Sequence, residues 1–460
     1  MSETAELIRE IESYCRQTNT AESTFGRQAV NDGKFVARLR DGKGVTLKTL
    51  ARVRRFIENS PEERSGKQKK LMAAPTTGSP IATASTSQAK PFRFYDNRQK
   101  YLAFVHTCNE KWIVAQRAGK ELQHLYPTPP ALRVFDAGMG DATVLTQLMR
   151  DMHRRFPHIP FLVAAKEISL EDARLGLAKL PDRFYEHPAT VMVLTNLHYS
   201  EAPWLMPRDL NAAATLNWHE IKLTGGSAYE YGEQIEALEP LIADGWQTQA
   251  SKKTGNPIYA RPSVLVLYRE DHRFLLDEVI PKPGHTQGNY DLVVASQPWR
   301  ARMSAKFKAA RVLSPLVSSL APGGRLLAIQ SYGRDPALEI VQEMWPGEEP
   351  FSINRHTLLK ALKDEMGRDT RDFNFNAFSD NKSILRYQMH TLPSEIGESI
   401  GTSTLFAAWN AAIYVNQIED ERVEEAVGSG AYLQATDKIL KRHGGLWFND
   451  ETFVISRHRI

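Results

Sequence analysis

Cysteine is nearly absent, with Cys15 and Cys108 the two in 460 residues. That excludes a disulfide framework and a multi-cysteine metal site, and it suits a reducing cytoplasm, which is the expected location. No apolar run is long enough to span a bilayer, and the opening MSETAELIRE has no signal-peptide core. The histidines do not help a metal either. Trp218-His219-Glu220 has no second histidine at ligand spacing, while His106, His124 and His285 stand alone. No metal site and no Ser-His-Asp arrangement is expected. No internal repeat is visible.

What is present is an ordinary globular composition, 42% hydrophobic and 24% charged. The length exceeds what one core usually supports, so more than one domain is expected. Residues 1–60 read as a small all-α domain. Leu7, Ile8, Ile11, Tyr14 and Cys15 form one helical stripe; Leu47, Leu50, Val53 and Ile57 form another. Residues 61–91 are rich in Ser, Thr, Ala, Pro and Lys, the composition of a disordered linker. From residue 92 to the end, strand-like and helix-like segments alternate, beginning with a helix expected over Tyr101–Leu125, which implies a mostly parallel sheet covered on both faces. An α+β stretch of about residues 200–288 interrupts the alternation, with strands expected at Leu216–Leu223, Ser263–Tyr268 and Phe274–Ile280.

The segment Leu132–Leu145, LRVFDAGMGDATVL, runs from a buried strand through a glycine turn into an amphipathic helix. Gly138 and Gly140 permit a tight turn and close approach of a ligand to the backbone. A dinucleotide fingerprint needs a third glycine at position 143, where the chain has Thr143. Asp136, Gly138, Gly140 and Ala142 instead resemble the first motif of class I S-adenosylmethionine-dependent methyltransferases, Asp/Glu-x-Gly-x-Gly-x-Gly/Ala. The resemblance implies a Rossmann-like sheet, S-adenosylmethionine as cofactor, and Asp136 as anchor for its cationic amine.

Later residues follow in the order of that family. Glu167, 31 residues beyond Asp136, ends the next expected strand, where the family's acid holds the ribose; the usual interval is about 20. Thr195 or Asn196, after the third strand, would flank the adenine, a place the resemblance gives to Asn196. Leu320–Leu327, with its Pro322-Gly323-Gly324 turn, resembles the fifth-strand entry. Tyr290–Trp299, YDLVVASQPW, resembles the fourth motif of amino-group methyltransferases, Asn/Asp/Ser-Pro-Pro-aromatic. Ser296, Pro298 and Trp299 match, and Gln297 replaces the first proline. In that chemistry a side-chain oxygen and a backbone carbonyl orient a weakly nucleophilic amino group while the aromatic ring stacks on a planar substrate. The resemblance therefore casts Ser296, Pro298 and Trp299 as catalytic.

Basic residues gather in two places. Arg300, Arg302, Lys306, Lys308 and Arg311 carry no acid between them and form either a rim for an anionic substrate or a solvated helix face. Between Arg27 and Arg55, nine basic residues oppose Asp32 and Asp41. The stretch FGRQAVNDGKFVARLRDGKGVTLKTLARVRRFI resembles a phage-repressor helix-turn-helix. That implies groove contacts by Lys34 and Arg38 on a short helix over Lys34–Arg40, and phosphate contacts by Arg27, Lys43 and Lys48. The expected protein is a methyltransferase of unknown acceptor, an amino group on a nucleic-acid base or another anionic substrate being one option. The alternative is a non-catalytic DNA-binding regulator that keeps the cofactor fold as a sensor.

Overall fold

In the computed structural model the described residues are 3–17, 21–30, 32–40, 49, 53–54, 56–57, 98–251, 257–391, 393–397 and 399–459. Lys43, Lys48, Leu47, Leu50 and the stretch 61–91 lie outside them, as does the side chain of Arg27. The chain divides into two compact units, residues 1–87 and 88–460.

The first unit holds α1 (Glu3–Gln17), α2 (Glu22–Val30) and α3 (Phe35–Arg40). Its core is the expected stripe, Leu7, Ile11 and Cys15, closed by Phe25, Phe35, Leu39 and Val53. Helix α2 passes so close to the following turn that a Cβ at Gly26 would collide with the Asp32 carbonyl. Helix α3 begins at Phe35 rather than Lys34, because the Asp32 carboxylate accepts the Lys34 backbone N–H at 2.9 Å and fixes the turn. Much of the basic charge is already partnered. Arg38 pairs with Asp32, Arg40 with Glu12 at 2.7 Å and Glu22 at 2.6 Å, and Arg54 with Glu10 at 3.2 Å.

The second unit is built on one sheet. Its strands are β1 (Leu132–Asp136), β2 (Phe161–Lys166), β3 (Thr190–Thr195), β4 (Asn217–Leu223), β7 (Ser263–Arg269), β8 (Tyr290–Ser296), β9 (Leu320–Ser331), β10 (Phe373–Asn376), β11 (Ile384–Gln388) and β12 (Trp447–Arg457). A separate ribbon pairs β5 (Thr248–Ala250) with β6 (Pro257–Tyr259). Across the sheet the order is β10-β12-β9-β8-β1-β2-β3-β7-β4, with β11 also on β12. Strands β3, β2, β1, β8 and β9 are mutually parallel, and β12 runs antiparallel to β9. This is the expected Rossmann-like sheet. The chain leaves β1 toward β2 and β3, then returns to β8 and β9 on its other side. Such a reversal opens a crevice at the carboxyl ends of the strands.

Both faces of the central strands are buried, so they read as apolar runs rather than alternations. Leu132, Val134, Val163 and Leu292 pack on one face beneath α5 (Glu110–Glu121), α6 (Thr143–Arg155) and α7 (Leu170–Leu177). Phe135, Ala164, Val293 and Leu326 pack on the other beneath Leu313, Leu316 and Leu358. A third cluster joins α4 (Arg98–Thr107) to the helix Thr402–Val415 through Phe104, Ala408, Ala411 and Tyr414.

Four sequence expectations change. The 200–288 stretch contributes β4 and β7 to the main sheet, with β7 antiparallel to β3. Residues Phe274–Ile280 begin in a short helix, Arg273–Leu276, not a strand. The Pro322-Gly323-Gly324 segment lies inside β9, and a Cβ at Gly324 would collide with the Tyr290 carbonyl. The helix expected over Tyr101–Leu125 breaks at Cys108-Asn109, because Asn109 pairs there with Gln388 of β11 through its backbone N–H and side-chain oxygen.

Candidate functional site

Strand β1 ends at Asp136 because the next residues must turn sharply into α6. The Asp136 carboxylate accepts the Gly138 N–H at 3.1 Å. Gly140 sits at φ +53°, where an added Cβ would meet the Tyr101 hydroxyl at 3.1 Å. At Gly138 the nearest atom to an added Cβ is the Ser296 carbonyl, 3.9 Å away, so the glycine leaves room above the turn. Beside it, β2 ends and Glu167 folds back. One Glu167 oxygen accepts the Gly140 N–H at 2.8 Å, and the other accepts Ile168 and Ser169 N–H groups at 2.8 Å each.

These groups open onto a cavity of about 520 Å³ lined by Gly138, Gly140, Glu167, Ser296, Gln297 and Pro298, together with side chains from more distant segments. Ligand clefts usually fall between about 300 and 1,000 Å³. The cavity lies at the carboxyl ends of β1, β2 and β8, where the strand order reverses.

Burial dominates the electrostatics. It lifts Asp136 to about 6, with Glu167 adding to the rise and the Gly138 N–H and Lys111 opposing it. Burial also raises Glu167, against Lys166 and the N–H groups of Ser169 and Gly140. Lys166 is lowered by the same burial, its ammonium resting 4.8 Å from the Tyr199 ring. For Lys111 burial opposes the charge, yet Tyr101, Glu110 and Asp141 outweigh it and raise its pKa. Its ammonium lies 3.7 Å from Glu110 and 5.4 Å from the Tyr101 ring.

Five of the eight residues singled out for cofactor and catalysis line this cavity: Gly138, Gly140, Glu167, Ser296 and Pro298; Asp136 lies beside it, holding the Gly138 N–H. Asn196 does not join them. Its amide is consumed by backbone, donating to Gly245 and Arg261 carbonyls at 2.9 Å each and accepting the Ser263 N–H at 2.8 Å. The neighbouring Thr195 donates to the Ser263 carbonyl at 2.8 Å. The antiparallel β7 has taken the space beside β3. Trp299 also turns away, being 5% exposed, packed in the core and donating to Gln330 at 2.9 Å. The aromatic surface for a substrate therefore cannot be Trp299.

The basic stretch after it is divided between core and surface, with Arg302, Lys306 and Arg311 exposed. Lys308 is buried and donates to the Ala301 carbonyl at 2.9 Å, and Arg302 pairs with Glu348 and caps the Asn416 and Gln417 carbonyls. The Pro298 carbonyl accepts the Tyr199 hydroxyl at 2.9 Å. Gln297 holds φ +48°, strained for a residue with a side chain. Its side-chain oxygen accepts the backbone and hydroxyl of Ser331 at 3.2 Å each.

The aromatic and cationic walls come from residues no motif marked. Tyr101 and Phe104 arrive on α4, Lys111 on α5, Tyr387 on β11 and Tyr414 on the helix Thr402–Val415. These segments flank the sheet core in sequence and meet over it only through the third apolar cluster. Among the described residues no group of three or more metal-ligating side chains occurs, and no helix is long and apolar enough to cross a membrane.

No protein-family model matches the chain, and no curated protein sequence matches it. Distant likenesses exist among solved structures. A geranyl diphosphate methyltransferase in complex with GPP and sinefungin shares 11% identity over 74% of this chain and 76% of its own, at a TM-score of 0.29. The CurJ carbon methyltransferase shares 10% over 73% of this chain and 50% of its own, at 0.26. PKMT2 from Rickettsia typhi, in complex with AdoHcy, shares 11% over 75% and 52%, also at 0.26. Superpositions this loose carry no functional weight, whereas strand order and site geometry do.

Proposed function

We propose that residues 88–460 form an S-adenosylmethionine-dependent methyltransferase. The observation that carries this reading is the meeting of the Asp136–Gly140 turn with Glu167 across a 2.8 Å hydrogen bond, at the floor of the crevice. The residues present fit the cofactor. Gly138 leaves a space that a Cβ would fill, Asp136 is a buried carboxylate suited to an ammonium, and Glu167 is a carboxylate suited to ribose hydroxyls. Lys111, beside Tyr101, would hold the carboxylate end of the same ligand.

When bound, the cofactor supplies a methyl group on an already activated sulfonium. The chain itself binds, orients and excludes water; alignment of two reactants can account for about 7–11 kcal/mol of a barrier. Ser296 to Pro298 border the space above Gly138, so this loop meets the acceptor. Calorimetry tests the assignment: Asp136→Ala should abolish S-adenosylmethionine binding, and unchanged affinity would overturn it. Incubation with methyl-labelled cofactor and a cell extract would then show which class of molecule takes the label.

We further propose that the first unit contacts nucleic acid. Its support is narrower: Lys34, just before α3, and Arg38, in its last turn, are both exposed. Lys34→Ala with Arg38→Ala should weaken retention of nucleic acid at low salt. If the unmodified chain retains neither DNA nor RNA, this reading fails.

A further inference from the structure

The segment from Glu167 through α7 meets the glycine turn twice. At its start, Glu167 accepts the Gly140 N–H at 2.8 Å, and Ser169 caps α7 by accepting the Asp172 N–H at 3.3 Å. Near the end of α7 stands Gly176, where an added Cβ would lie 2.5 Å from the Met139 side chain and 3.3 Å from that of Ala142. Helix and turn are therefore in close contact. Two residues past α7, Lys179 reaches back to the same turn. Its ammonium donates to the Asp141 carbonyl at 2.8 Å, the Asp141 carboxylate at 2.6 Å and the Thr143 hydroxyl at 2.7 Å. All three of its protons are thus used. The Thr143 hydroxyl in turn donates to the Asp141 carboxylate at 2.6 Å.

The residues held this way are strained. Gly140 stands at φ +53° and Ala142 at φ +60°, a left-handed conformation that is costly for a residue with a Cβ. Ala142 also begins α6 without a side-chain cap. Such strain persists where the surrounding contacts over-determine it. Asp141 is 9% exposed, and burial alone would raise its pKa. The bonds from Lys179 and Thr143, with Lys111 nearby, outweigh burial and hold the carboxyl below its ordinary range. Removing the Lys179 ammonium would leave a buried carboxylate short of its ion pair, the most disruptive way to break such a pair. Lys179 is itself partly exposed and does not line the cavity, so it acts through the turn.

We infer that Lys179 is a positioning residue: through Asp141 it holds the Gly138–Ala142 turn in the form that receives the amino-acid arm of the cofactor. This rests on the cofactor reading above and adds the group that fixes the turn. The ribose end depends on Glu167, one of whose oxygens is held by the Ile168 and Ser169 N–H groups without help from Lys179. The two ends of one ligand should therefore respond differently to loss of Lys179.

The test uses the full chain and two ligands, S-adenosylhomocysteine and 5′-methylthioadenosine, which keeps the nucleoside and lacks the amino-acid arm. By calorimetry, Lys179→Met should weaken S-adenosylhomocysteine about tenfold and change methylthioadenosine by about threefold or less. In an Asp141→Asn background the same substitution should weaken S-adenosylhomocysteine by about threefold or less, because the charge that Lys179 answers is gone. Equal weakening of both ligands by Lys179→Met would mark a general loosening of the pocket and overturn the inference. Unchanged S-adenosylhomocysteine affinity in Lys179→Met would overturn it as well. The cofactor reading fails separately, and the inference with it, if the unmodified protein binds neither ligand.

Discussion

Cofactor affinity should rise with pH across a window set by Asp136. This carboxyl is lifted to about 6 by burial, with Glu167 reinforcing the shift. At pH 5 about one molecule in eleven carries it ionised, and at pH 7 about ten in eleven, by simple titration. A ligand ammonium titrates near 7.7–8.0 and stays cationic throughout. Binding that requires the ionised form is therefore about tenfold weaker at pH 5 than at pH 7, or about 1.4 kcal/mol. Stability runs the other way. A carboxyl raised in the folded state binds its proton more tightly than in the unfolded chain, so its contribution is full below about pH 4 and is lost as pH rises through about 6. Calorimetric titration of S-adenosylmethionine at half-unit steps from pH 5 to 7 measures the effect. No histidine lines the cavity among the described residues, which removes the usual competing titration. Glu167 is raised by the same burial and contributes in the same direction. Asp136→Asn should bind weakly and with a shallower dependence on pH, the remainder coming from Glu167. An affinity flat from pH 5 to 7 in the unmodified protein, or an unchanged slope in Asp136→Asn, would refute the assignment.

Two substitutions separate structural from binding roles. Asn196→Ala strips partners from the buried Gly245 and Arg261 carbonyls and the Ser263 N–H. It should cost about 3 kcal/mol of stability in urea unfolding, with cofactor affinity in the surviving folded protein unchanged; a selective loss of binding would restore Asn196 to the site. Gly138→Ala should leave the unfolding midpoint within a small margin, since the added Cβ meets nothing nearer than the Ser296 carbonyl at 3.9 Å, while cofactor binding is weakened. Retained binding would show that nothing approaches the backbone there.

The sheet core was legible because burial on both faces forces apolar runs that end at defined residues. Asp136, Glu167 and Ser296 each mark the end of a strand, and three parallel neighbours bring those ends together. The turn at Gly138–Gly140 was legible because backbone geometry there admits few residue types. What failed was inference by position in a loop. Asn196 follows β3 as the family order requires, but the insertion places β7 beside it and claims its amide. Neither local pattern nor spacing encodes which strand an inserted segment will pair with. Trp299 failed for a related reason. With Gln330 one strand away able to accept its indole N–H, burial in the core competes with lining the cavity, and the core wins.

The walls of the cavity were illegible on different grounds. Tyr387 and Tyr414 lie more than 240 residues beyond the glycine turn, and nothing local distinguishes a tyrosine facing a ligand from one filling a core. Both are in fact part of the same apolar cluster that seats α4. The proposed cofactor half of the site is thus written in turns, where few residues are tolerated, and the remaining cavity wall in packing, where many are. That division has a physical consequence. Substitutions at Asp136 or Gly138 act on a rigid strand-to-helix turn and should change one binding constant. Substitutions at Tyr387 or Phe104 remove core contacts as well as cavity wall, so ligand selection and the seating of α4 should shift together. A variant at Phe104 that alters ligand preference while leaving unfolding unchanged would contradict this coupling of cavity and core.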